Sequence, residues 1–294
     1  MPDAAWFRKD KEMERNIYWR SKRPHSGENM IKGIFKDYPA TRIFDNIYFI
    51  GNDMMACYLF DTSDGLLMID CMDRGFFQYI DDSIRSLGFD PADLRNIIIT
   101  HAHGDHYGDS NIFREKYGTK LYMSKVDEEA FWDPDMTMVP RPGLNYRMDG
   151  YLEAGTDFVQ GDTRIQIYST PGHTPGCMSF IFTGYDEGRP VKLCMWGGTG
   201  APRKLEMRQK QLASIDYFDA CCFEQGVTGE LSNHPFTDCT IERLEIVRNI
   251  VDGVPHPFVI GYEGVRKINL MYREMYVNAL NKTEEELAPP KPGK

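Results

Sequence analysis

Within the segment Thr100-His101-Ala102-His103-Gly104-Asp105-His106, three imidazoles and a carboxylate fall in six residues. Imidazole nitrogen and carboxylate oxygen are donors that zinc accepts, at about 2.0–2.2 Å. Small Ala102 and Gly104 let the backbone bend tightly between the ligand-type residues, so His101 and His103 can face one ion while Asp105 and His106 face another. A solvated polar loop is the ordinary reading of one histidine, but H-x-H-x-D-H spacing reverses that reading. Two more histidines stand in rigid settings. His173 lies in Thr170-Pro171-Gly172-His173-Thr174-Pro175-Gly176, and His234 precedes Pro235, which biases it toward extended backbone. Both are placed to close the coordination shells. His25 and His256 are left over, with ordinary surface or turn roles. Zinc held in this way lowers the pKa of bound water to about 7, giving a hydroxide that attacks a carbonyl carbon at neutral pH.

The elements around these residues read as two similar halves. In the first, 41–44 and 47–50 form a hairpin about Asp45-Asn46, and 57–60 and 66–69 flank a turn at Ser63-Asp64-Gly65. A helix is expected over 76–87, stopped by Gly88. Residues 96–100 (NIIIT) form a β-branched run of buried-strand type, with a further helix over 109–117 stopped by Gly118. The metal-type segment therefore follows a strand directly, on the loop at its carboxyl end, where α/β folds place ligands. In the second half, 163–168, 177–182 and 191–195 read as strands, and 207–218, 238–251 and 263–280 as helices. Strands then helices, twice over, predict an αββα four-layer sandwich.

Composition bounds the rest. Of 294 residues, 41% are hydrophobic, enough for a core. The balance of 34 basic against 44 acidic residues gives a net charge of −10, with no Lys/Arg block, which excludes a general nucleic-acid or anionic-membrane binder. No apolar run approaches the roughly 18–20 residues of a membrane span. The cysteines number seven, an odd count at irregular spacing without C-x-x-C, so reduced, mostly buried thiols are expected rather than a disulfide framework. The charged start lacks an apolar signal region, and the cytoplasm is the expected location. Residues 1–38 read as an aromatic N-terminal arm with a helical stretch, suited to dock either on the main domain or on a second subunit, the latter giving a homo-oligomer. Residues 39–282 read as the main domain, and 133–150 as an insertion suited to a lid; Arg141 or Arg147 could then hold a substrate carboxylate, but a solvated loop is the better reading of that stretch. The tail at 283–294 is too rich in proline and like charge to continue a helix.

Rival motifs are absent. There is no S-x-x-K, G-x-S-x-G or H-E-x-x-H, and Gly197-Gly198-Thr199-Gly200 is followed by no Lys-Ser/Thr, as a phosphate-binding P-loop requires. A tight turn beside a substrate cleft is the better reading. Phe131, Trp132 and Trp196 are candidates to line that cleft, with simple core packing as the alternative. Cys221-Cys222 reads as a buried pair on a helix.

The H-x-H-x-D-H motif, the later Gly172-His173-Thr174-Pro175-Gly176 and the late His234 together resemble the metallo-β-lactamase superfamily, over residues 41–280. The resemblance implies two zinc ions per chain: the first held by His101, His103 and His173, the second by Asp105, His106 and His234. Asp105 would also orient the nucleophile or take its proton, as the catalytic carboxylate. Asp70, after 66–69, resembles the family's aspartate beside the site and would orient a ligand histidine. The implied activity is hydrolysis of a small-molecule amide or ester, β-lactam- or lactone-like. A thioesterase, a phosphodiesterase and a non-catalytic metal-binding sensor are the alternatives. One departure stands out: Cys194-Met195-Trp196-Gly197-Gly198-Thr199-Gly200 lacks the bridging aspartate of most family hydrolases, and Asp186 lies at the wrong end of its strand. The pattern is then most similar to the third subclass of metallo-β-lactamases, whose ligands are all His and Asp. The serines with which that subclass holds the β-lactam carboxylate are missing, however, and only Thr199 could substitute. The motif's second position is His103 rather than glutamate, which favours zinc over a di-iron centre.

Overall fold

In the computed structural model, which describes residues 36–131, 147–251 and 253–287, the strand residues alternate between two different cores. β1 (Asp37–Phe44) turns at Asp45-Asn46 into β2 (Ile47–Asn52), and β3 (Ala56–Thr62) turns into β4 (Gly65–Ile69). Along β2, Tyr48 and Ile50 enter one hydrophobic cluster while Ile47 and Phe49 enter another. Along β4, Leu66 and Met68 go one way and Leu67 and Ile69 the other. A strand with a period of two that is apolar on both faces must be covered on both faces. Helices α1 (Phe77–Ser86) and α3 (Ser110–Tyr117) cover one side through Ile80, Ile84 and Phe113. The second sheet covers the other.

Seven strands in sequence order build the first sheet, with β5 (Leu94–Ile98), β6 (Lys120–Met123) and β7 (Gly150–Tyr151) continuing it in parallel beyond β4. The second sheet runs β12-β11-β10-β9-β8, from β8 (Asp157–Gln160), β9 (Thr163–Ser169), β10 (Met178–Asp186), β11 (Arg189–Met195) and β12 (Gly229–Glu230). Phe180, Phe182, Leu193 and Met195 face the first sheet. From the opposite face Ile181, Cys194 and Trp196 meet α5 (Leu205–Glu224) and α7 (Gly261–Leu280), through Ile215, Phe218, Val265, Tyr272 and Tyr276. Helix, sheet, sheet and helix layers make the expected αββα sandwich.

Several boundaries differ from the sequence reading. β5 spans Leu94–Ile98 rather than 96–100: the Ile99 N–H still reaches Tyr122 O at 2.8 Å, but the Thr100 N–H turns to a carboxylate, Asp70 Oδ1, at 2.8 Å. Gly104–Tyr107 is a one-turn helix, α2, not irregular loop. Helix α4 (Lys125–Ala130) and strands β6, β7, β8 and β12 are additions, and α6 (Thr240–Arg248) is shorter than 238–251. All seven cysteines are free, as expected; Cys222 is buried, whereas Cys221 is only half-buried and Cys239 is exposed. Among the described residues no helix is long and apolar enough to cross a membrane. His25 and almost all of the N-terminal arm lie outside the described residues, as do Trp132, Arg141, most of the 133–150 insertion and the end of the 283–294 tail.

Candidate metal centre

The loop after β5, the loop between β9 and β10 and the loop after β12 meet at one end of the sandwich. There the chain forms two groups of metal-type donors: His101, His103 and His173, and Asp105, His106 and His234. Within each group the donor atoms lie within 4.8 Å of one another. The imidazoles form one continuous cluster, with centroids 4.5 Å apart for His103–His173, 4.0 Å for His101–His106 and 5.0 Å for His106–His234. All six residues anticipated as ligands are therefore together, in the two expected triads.

Oxygen acceptors fix the rings. His106 Nδ1 donates to Asp70 Oδ2 at 2.8 Å, His173 Nδ1 to Gly200 O at 2.6 Å, and His234 Nδ1 to Met54 O at 2.8 Å. His101 Nδ1 donates to Thr100 Oγ1 at 3.0 Å, and that hydroxyl in turn donates to the Asp70 carboxylate at 2.9 Å. A ring that spends its proton at Nδ1 keeps a lone pair at Nε2. His101 Nε2 is buried with no hydrogen-bond partner, the situation of a donor atom meant for a cation rather than for protein. Burial, and then the surrounding imidazoles, hold His101 well below the ordinary histidine range. The same two causes lower His173, opposed only by its bond to Gly200. Neutral imidazoles at pH 7 are the state that binds metal. The donor set, the tautomers and the orphaned nitrogen all fit zinc.

Asp70 sits where the sequence placed it, fully buried after β4, with its backbone at φ +60°. It also accepts from Asn233 Nδ2 at 3.2 Å, which ties the His234 loop to the same carboxylate. The Gly197–Gly200 segment plays a part that sequence reasoning did not foresee. A Cβ on Gly198 would lie 2.4 Å from His173 Cβ, so glycine is what lets this loop close on the imidazole. Gln211 Nε2 donates to the carbonyls of Gly198 and Gly200 at 3.0 and 2.9 Å, and Tyr276 Oη lies 3.1 Å from Gly198 O. In place of a bridging aspartate, the chain here offers carbonyls held by α5 and α7.

Three side chains read as candidates to line a cleft are buried. Thr199 is 2% exposed and its hydroxyl is buried without a hydrogen-bond partner, so it presents no exposed hydroxyl. Trp196 is buried and donates to Tyr276 Oη at 2.8 Å, and Phe131 is buried with its ring 4.9 Å from that of Tyr107. Trp196 and Phe131 are core packing residues. Asp186 pairs with Arg189 at the far end of β10, as anticipated, and His256 stacks on Phe44 at 4.4 Å while bonding Ile43 O, an ordinary turn role. Arg147 is exposed, its carbonyl accepting from Arg114. The sequence reading also missed Thr100, Asn233 and Asp127. The first two adjoin ligand-type histidines in sequence, a signal that was available; Asp127 has none.

Residues 50–186 match the family model described as the metallo-beta-lactamase superfamily. An N-acyl homoserine lactonase of Bacillus sp is 27% identical over 162 residues, covering 47% of this chain and 61% of the relative. The N-acyl homoserine lactonase AttM of Agrobacterium fabrum (strain C58 / ATCC 33970) is 33% identical over 108 residues, covering 34% and 40%. The matched region thus spans about half the length of these curated relatives. Among solved structures, BJP-1, a subclass B3 metallo-beta-lactamase of Bradyrhizobium japonicum, superposes with a TM-score of 0.75 at 24% identity, covering 88% of this chain and 99% of that one. The native FEZ-1 metallo-beta-lactamase of Legionella gormanii gives 0.76 at 22% identity, covering 86% and 99%. What these two share with the chain is the fold.

Proposed function

We propose, on the premise that this chain carries a metallo-β-lactamase superfamily domain, that it is a dizinc hydrolase of a small ester or amide, lactone-like before β-lactam-like. The observation that carries this reading is the pair of buried donor triads whose histidines spend Nδ1 on protein oxygens. His101, His103 and His173 would hold the first zinc, and Asp105, His106 and His234 the second. Zinc in such a site lowers the pKa of water to about 7 and polarises a carbonyl oxygen.

The chain's own groups do the rest. Asp105 is buried at the centre of the second triad, its carboxylate oxygens 3.8 Å from His106 Nε2 and 3.9 Å from His234 Nε2. It orients the attacking water and takes a proton from it at a carboxylate oxygen. As the carbonyl carbon is attacked and its bond to the leaving oxygen or nitrogen breaks, that proton is free to pass to the leaving atom. The Asp70, Gly200 and Met54 acceptors keep the imidazoles from turning during these steps. A lactone is preferred to a β-lactam because Thr199, the one hydroxyl of the Gly197–Gly200 segment, is buried. The lactonase relatives support the same choice. Seven free thiols fit a reducing compartment, and we place the protein in the cytoplasm.

A turnover panel of an N-acyl homoserine lactone, nitrocefin, an acyl thioester and an aryl phosphodiester tests this reading on the zinc-loaded full chain. Lactone hydrolysis lost on chelation and restored by zinc is expected. Turnover of the phosphodiester alone would overturn the ester/amide reading. Zinc binding with no hydrolysis of any substrate would move the protein to the sensor class.

A further inference from the structure

Asp127 belongs to none of the donor groups and lies far in sequence from every residue of the centre. It sits in the first turn of α4, where its own N–H donates to Ser124 Oγ at 3.1 Å, and its side chain is fully buried. Oδ2 accepts the Ala102 N–H at 2.9 Å and the Thr174 hydroxyl at 2.7 Å; Oδ1 accepts the Gly176 N–H at 2.6 Å. Ala102 stands between His101 and His103, and Thr174 follows His173. One carboxylate therefore ties together the two loops that supply the first triad. The close approach depends on a glycine: a Cβ at position 176 would fall 2.1 Å from Ser124 Oγ and 2.8 Å from Asp127 Oδ1. A further tie between the two segments lies at their foot, where the Met178 N–H donates to Thr100 O at 3.0 Å. The second triad has separate supports in Asp70, Asn233 and the Met54 carbonyl.

We propose that Asp127 is the positioning residue of the first metal site, setting the distance between the His101–His103 segment and His173 and leaving the second site untouched. This rests on the two-site reading of the centre given above. A carboxylate is required because all three partners are donors. An asparagine offers one oxygen and turns an N–H₂ toward at least one of them, which opens the tie.

The test uses zinc affinity in the full chain, measured by competition with a chromophoric chelator. Asp127→Asn is combined with His234→Ala, which leaves only the first site, and with His173→Ala, which leaves only the second. On the His234→Ala background, Asp127→Asn is expected to lower zinc affinity about 10- to 100-fold, the usual effect of losing a support behind a ligand. On the His173→Ala background the change is expected to stay within about twofold. Thr174→Val, which removes a single donor, gives a smaller loss on the first background, about two- to tenfold, and serves if Asp127→Asn does not fold. Asp127→Glu, which keeps the acceptor oxygens, is expected to restore part of the affinity and the cobalt(II) absorption bands of the first site. Equal losses on both backgrounds, or a fall in Tm with unchanged first-site affinity, would overturn the proposal. Failure of the parent chain to bind zinc at all would instead strike the two-site reading itself.

Discussion

Asp70 Oδ2 accepts the Nδ1–H of His106 at 2.8 Å, while the same carboxylate receives the Thr100 hydroxyl that accepts from His101. One buried acid thus stands behind a histidine of each triad, whereas Asp127 ties the segments of one triad only. The Asp70 backbone at φ +60° aims the side chain back at both.

Asp70→Asn is therefore expected to weaken both zinc sites, each about 10- to 100-fold, and to lower kcat/KM with them. Asparagine tolerates the left-handed backbone, so the fold should survive and circular dichroism should be unchanged. The check is the chelator titration on the same two single-site backgrounds. A loss at only one site would show that the Thr100 relay to His101 carries no weight.

The Gly198 approach to His173 makes a second prediction. Gly198→Ala places a methyl 2.4 Å from His173 Cβ, and the loop must retreat, taking with it the Gly200 carbonyl that holds His173 Nδ1. Overpacking of this kind costs about 1–3 kcal/mol. Hydrolysis should fall at least about tenfold, with first-site zinc affinity falling in parallel. Gly188→Ala is the control. It has a positive φ of +74° but open space around it at the far hairpin, so it should cost stability without touching zinc affinity. Equal zinc affinity in Gly198→Ala and the parent would remove the loop from the centre.

What the residues disclosed in advance, and what they did not, follows from the range of the interactions. His101, His103, Asp105 and His106 stand within six positions, so their convergence is a local property, legible as a pattern. The two-sheet core was legible for the same reason, since an apolar run such as Ile97-Ile98-Ile99 leaves no polar face to expose. Asp127 was invisible because Lys125-Val126-Asp127-Glu128-Glu129 reads as a solvated acidic run; only the arrival of two distant loops buries one of its three acids. Strand β12 failed similarly, being two residues long and ending in a glutamate. For Thr199 and Trp196, adjacency in sequence to the glycine turn does not report which way the side chain packs. Their side chains are buried, and Trp196 is turned toward α7, whose position no local pattern reports.

Thr199 offers a third test. Its hydroxyl is buried with no hydrogen-bond partner, an unfavourable arrangement that costs about 1–3 kcal/mol. Thr199→Val keeps the shape and removes that polar atom, so it should leave lactone turnover within about twofold and raise stability by about 1 kcal/mol. Denaturant melts alongside the lactone assay read both quantities. A large rise in KM would return the hydroxyl to the substrate cleft.

The last prediction concerns Glu230, on β12 four residues before His234. Both its oxygens are buried without a hydrogen-bond partner. Burial first, and then the neighbouring Asp238, push its pKa up to about 8 against the pull of Arg243. Burial raises Asp238 as well, so the two acids act with the same sign. An unfolded glutamate ionises near 4.3, so between roughly pH 4.3 and 8 the folded chain keeps a proton that the unfolded chain has released. The Glu230 contribution to stability is therefore full below about pH 4.3, is lost as pH rises through about 8, and is level above that. Glu230→Gln stays neutral throughout. Its stability relative to the parent should rise steadily from pH 5 to pH 8 and then stop rising. Thermal melts of both proteins across that range read the difference directly. A difference that stays constant from pH 5 to pH 8 would mean that Glu230 is already ionised in the folded chain at pH 5.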